Sequence, residues 1–101
     1  MIVHLVMWKF KESAEGCSGM ENAAKVKEKL EALKGVIPGI RSLEVRLNVN
    51  RNDPMAYDAV LISRFETIED LELYKNHPEH KKVSTFCKSV RESRATVDYI
   101  E

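Results

Sequence analysis

The chain has 101 residues, enough for one domain with a modest core and too few for two. Lysine plus arginine and aspartate plus glutamate number 16 each, so no net field draws the protein to nucleic acid or to an anionic membrane surface. Apolar runs stay well short of the roughly 20 residues that span a bilayer, and the first residues lack the pattern of a secretory leader, so a cytoplasmic protein with no membrane or nucleic-acid partner is expected.

Ile2 to Phe10 reads as a strand whose two alternating sets, Ile2, His4, Val6, Trp8, Phe10 and Val3, Leu5, Met7, Lys9, are both mainly apolar. Something must pack on each of its faces. After a polar loop from Glu12 to Gly19, Met20, Ala23, Val26, Leu30 and Leu33 recur at helical steps, predicting an amphipathic helix that ends near Gly35. Ile37-Pro38-Gly39-Ile40 is a turn, and Leu43, Val45 and Leu47 then alternate with polar residues as a strand buried on one side.

Asn50 to Pro54 forms the next turn, and Tyr57 to Phe65 returns as a third strand antiparallel to the second. Thr67 is placed to cap a helix whose inward side is Ile68, Leu71 and Tyr74. His77-Pro78 breaks that helix, because proline suits the first position of a new one and not the interior of an old one. The second segment carries Val83, Phe86, Cys87 and Val90, and Arg94 to Glu101 closes as a strand. Cys17 falls in a loop and Cys87 on an apolar helix face, so both are read as free thiols.

The order is βαββαβ over one domain, residues 1–101, which is the ferredoxin-like α+β pattern: an antiparallel four-stranded sheet with helices on one face. The other sheet face is left over. With the first strand apolar on both sides, a monomer would expose a bulky patch, so a homodimer is expected in which two sheets pack face to face as an α/β barrel. Glu44, Arg46 and Asp58 would lie at its interface or rim.

The break between the two helical segments gathers chemistry. His77 is the expected cap of the second segment, and His80, at its third position, points along the stripe of Val83 and Cys87. A helix N-terminus and an apolar setting both disfavour imidazolium, so His80 is expected to be neutral, the form a general base requires. Tyr74, one turn before the break, is placed to donate to a carbonyl or a developing enolate. His4 and Trp8 on the first strand and Tyr57 at the start of the third are candidates for lining a ligand pocket.

The same residues have structural readings: a helix cap for His77, a satisfied interior histidine for His80 or His4, and a core aromatic for Tyr74 or Trp8. A metal would need His77 and His80 plus a third ligand such as His4 or Glu79, and that spacing is a weak signal, so no metal is predicted. Glycine spacings for phosphate or dinucleotide binding are missing, and no cofactor is predicted.

Met1-Ile2-Val3-His4 through Lys9-Phe10-Lys11, Ile37-Pro38-Gly39-Ile40, Tyr57-Asp58, Phe65-Glu66, Tyr74, His77-Pro78-Glu79-His80 and Val97-Asp98-Tyr99 together resemble the stress-responsive A/B barrel (Dabb) family. The resemblance runs along nearly the whole chain. It implies a dimeric α/β barrel, in a family whose biochemical roles are mostly unknown and which includes a plant polyketide cyclase working without a cofactor. That cyclase uses a tyrosine and a histidine at positions matching Tyr74 and His80, which implies the same two roles here. Where it carries a further histidine after its strand tyrosine, this chain has Ala59.

The expected function is therefore the binding of a small apolar or aromatic carbonyl compound, with cyclase- or lyase-type acid/base chemistry by Tyr74 and His80. Two alternatives stand beside it: a noncatalytic stress-associated binding or interaction protein, and a cofactor-free enzyme resembling quinol monooxygenases.

Overall fold

The computed structural model describes residues 1–101 throughout. Four strands build the main sheet: β1 (Ile2–Phe10), β4 (Ser42–Leu47), β5 (Ala59–Phe65) and β6 (Arg91–Ile100), in the order β4-β5-β1-β6 with every neighbour antiparallel. Helices α1 (Gly19–Glu31), α2 (Ile68–Asn76) and α3 (Pro78–Val90) complete a ferredoxin-like βαββαβ fold, with the second helix in two pieces. A single 3-10 turn, Ala32–Gly35, finishes α1 where the helical pattern was expected to end.

Register decides which set of β1 faces the helices. Trp8 pairs with Ala59, Val6 with Leu61 and His4 with Ser63, and all six are buried under α1 to α3. Leu5, Met7, Val60 and Ile62 occupy the opposite face and are each partly exposed, and Val97 and Tyr99 of β6 are about half exposed beside them. Glu44 and Arg46 flank this apolar strip as an ion pair at 3.0 Å. Asp58 departs from expectation: its carboxylate accepts the Phe10 N–H at 2.8 Å and meets Arg51 at 3.1 Å, so it clamps the β1 end instead of standing free at a rim.

Three features were not expected. The polar loop after β1 holds a two-residue hairpin, β2 (Ser13–Ala14) and β3 (Cys17–Ser18), turned through Glu15 and Gly16, both at positive φ. Ser18 then caps α1 with a full capping box: its hydroxyl accepts from Glu21 N–H at 3.2 Å and its own N–H reaches the Glu21 carboxylate at 2.8 Å. β6 also begins three residues earlier than expected, directly after α3, while β5 begins at Ala59 and leaves Tyr57 outside the strand. No helix is long and apolar enough to cross a membrane.

Candidate functional site between sheet and helices

The site begins with the helix break. His77 is extended (φ −65°, ψ 137°), its ring Nδ1 accepts the Glu79 N–H at 3.1 Å, and Pro78 opens α3 without a donor to satisfy. At the end of α2 the Lys75 carbonyl has no continuing helix to bond, and His80 Nδ1 takes it at 3.1 Å. A carbonyl only accepts, so Nδ1 carries the proton of the neutral ring and Nε2 is left as the basic nitrogen. The break thus supplies both the position and the tautomer of His80.

His4 is held by a different route. Pairing of β1 with β6 sets it opposite Asp98, whose carboxylate accepts from His4 Nδ1 at 2.5 Å. His4 is buried, and its Nε2 also has no protein partner. Tyr74 lies against both imidazoles, with ring centroids 4.4 Å from His80 and 6.3 Å from His4, and packs on Phe65 at 5.3 Å. It is wholly buried, yet its hydroxyl bonds to nothing in the protein. Such an orphaned donor calls for a water or a ligand oxygen beside it.

Burial sets the protonation states. It pulls His4 below the usual 6.5 against the opposing pull of Asp98, and Lys75 and Arg94 lower it further. Burial also leads for His80, where the bond to Lys75 opposes the shift and His4, Arg94 and Lys75 add to it. Burial pushes the Tyr74 phenol well above its usual 10.0, so it remains a donor, and raises the Cys87 thiol to about 11, so it remains unreactive.

The two histidines make stability depend on pH. In the unfolded chain they protonate around 6.5, whereas the folded chain resists, so the unfolded state binds more protons as the pH falls. Their contribution is full above 6.5 and is lost on acidification through the lower folded values. The urea midpoint is expected to fall as the pH drops below 6.5, with a shallower fall in His80→Gln; a midpoint indifferent to that acidification would contradict the burial of both rings.

His4, Trp8 and His80 line one cavity together with Val6, Leu61, Val83, Cys87, Arg91 and Arg94. Its volume is about 40 Å³ as traced by the centre of a water-sized sphere, room for a few waters or one small functional group. Tyr74 does not line this cavity but lies behind it in the core, its ring against those of His80 and His4. Tyr57 does not belong to it: because the strand starts at Ala59, the inward alternation does not extend back to position 57, and Tyr57 lines a groove with Met7, Arg46 and Val60 on the open side. Ala59 itself is buried opposite Trp8. Asp98 and Arg94 were not singled out as site residues from the sequence. No three His, Cys, Asp or Glu side chains converge to hold a metal.

The stress responsive A/B barrel domain matches residues 2–101. The chain belongs to that family. A dimeric protein of unknown function and ferredoxin-like fold from Bacteroides fragilis is 32% identical, with a TM-score of 0.87 over 99% of this chain and 95% of that one. A protein from Arabidopsis thaliana superposes with a TM-score of 0.82 at 19% identity, covering 100% and 95% of the two chains. A hydroxynitrile lyase from Passiflora edulis does so with a TM-score of 0.81 at 14% identity, covering 99% and 92%. The last two likenesses show the fold alone. Comparison with curated proteins finds no match.

Proposed function

We propose that this Dabb-family protein is a cytoplasmic homodimer that takes a small apolar or aromatic carbonyl compound at the cavity between sheet and helices and moves a proton there without a cofactor. The observation that carries the reading is the buried Tyr74 hydroxyl, unpartnered, on a ring in contact with a neutral His80 whose Nε2 is free. His80 Nε2 removes a proton from the carbon beside the carbonyl. The C–H electron pair becomes the C=C bond of an enolate, and the Tyr74 hydroxyl donates to the oxygen that gains charge. His4, oriented by Asp98, lines the same cavity with Trp8 and gives the ligand its second polar contact. From the enolate, attack on a second carbonyl gives a cyclase outcome and loss of a leaving group gives a lyase outcome.

Proton exchange tests this directly. Aryl ketones and β-diketones held with the protein in D2O are expected to lose α-proton signal in NMR faster than with free imidazole at equal concentration; equal rates across the panel would end the proposal. Oxygen uptake with hydroquinones would instead support monooxygenase-like chemistry. The small cavity volume favours the noncatalytic binding reading if both assays are inert.

The dimer reading rests on the open sheet face, where Leu5, Met7, Val60 and Ile62 form a strip that a lone subunit would leave to water. The dimeric Bacteroides fragilis relative supports it. Light scattering is expected to return twice the 11.6 kDa chain mass, and Ile62→Asp, which sets a charge in the middle of that strip, is expected to return the single mass. A wild-type monomer at micromolar concentration would refute it.

A further inference from the structure

The charge around the cavity is one-sided although the chain as a whole has none. Arg91 and Arg94 form part of the cavity wall that holds His4 and His80. Outside it, Lys75, Lys81 and Lys88 line a groove with no apolar residue, and this groove shares His80 and Ser84 with the cavity, so the two adjoin along α3. The sequence places these groups together by helical spacing: residues 81, 84, 88 and 91 follow one side of α3 into β6.

These cations are also short of partners. Arg91, Arg94, Lys81 and Lys88 take part in none of the ion pairs of the fold, and Lys75 reaches Glu72 only at 3.6 Å. Asp98, the carboxylate set opposite His4 across the sheet, is occupied by His4. Nearby, Glu79 is drawn outward to Lys82 at 3.0 Å. A concave, partly dry site lined by unpaired cations concentrates anions, because low-dielectric walls weaken the screening that water gives on an open surface.

We propose that the ligand of this site carries an anionic group of carboxylate or phosphate type, held by Arg94 and Arg91 at the mouth, while its uncharged carbonyl end reaches His4 and His80. The inference rests on the proton-transfer reading for the carbonyl end and adds the charge of the ligand. The inner cavity has room for a small functional group alone, so the anionic group sits at its mouth on the two arginines, with Lys81 and Lys88 of the outer groove lining the approach. Arginine suits the inner position, since its planar fork meets two oxygens of such a group at once.

Titration of the full chain with benzoate, phenyl phosphate and the neutral benzamide, followed through backbone amide shifts, tests the proposal. Benzoate or phenyl phosphate is expected to bind about tenfold or more tightly than benzamide, with shifts centred on His80, Ser84 and Arg94. Arg94→Gln, an exposed position whose exchange leaves the core intact, is expected to shrink that preference to within about twofold. Added salt should weaken the anions and spare benzamide. The stronger of the two anions identifies the group as carboxylate or phosphate. Equal binding of benzoate, phenyl phosphate and benzamide, shifts elsewhere on the surface, or no binding of any probe would overturn the inference. Anion preference without proton exchange would count against the proton-transfer reading alone.

Discussion

His80→Ala is expected to lower α-proton exchange by about 10²- to 10⁴-fold, the range that a positioned general base contributes. The fold should survive, because the substitution removes one hydrogen bond, to the Lys75 carbonyl, worth about 1 kcal/mol net, and that carbonyl sits at a helix end within reach of water. Tyr74→Phe makes a sharper companion. It deletes a hydroxyl that is buried and unpaired, so stability should hold or rise by about 1 kcal/mol while exchange falls. A core tyrosine with no chemical role would show no such split. Exchange rates measured beside urea midpoints for the two variants decide it, and full exchange in both would remove these residues from the reaction.

Phe65→Ala should be the most damaging single change to the fold, at about 3–5 kcal/mol. Phe65 is wholly buried at the end of β5, pairs with Ile2 across the sheet and stacks against Tyr74, so the cavity it leaves would open under the residue that aims at the site. A loss of that size consumes much of the roughly 5–15 kcal/mol margin of a small domain. Ile68→Ala provides the contrast: Ile68, expected on the inward side of α2, stands in its first turn half open to solvent, and its loss should stay within about 0.5 kcal/mol. Equal urea midpoints for these two variants would mean that Phe65 does not carry the packing assigned to it.

Much of this architecture was legible in the residues because it rests on local rules. Alternation marked β1 and β4, a continuous apolar run marked β5, helical spacing marked α1 and α3, and Pro78 located the break that orients His80. The site itself was only half legible. His4 and Asp98 are 94 positions apart and meet solely through strand pairing, so no spacing along the chain could link them. Arg94 was read as the start of a strand, and its role at the cavity mouth follows from where β6 runs beside Trp8. Tyr57 lies apart because the expected strand ran two residues past the true start of β5, and its side chain lines the groove on the open side instead. The hairpin after β1 has two-residue strands, too short for any period to register.

The placement of β1 between β5 and β6 has a consequence for how the molecule comes into being. The first strand is complete only when the last has paired with it. Until β6 docks, His4 has no carboxylate to orient it and Arg94 has no cavity to border, however well α1, β4 and β5 have already packed. Contacts of such separation carry the entropy of closing a loop of nearly the whole chain. The paired histidine and aspartate therefore act as a completion mark: a chain still arranging its sheet presents no working site, and appearance of the site reports that the fold has closed.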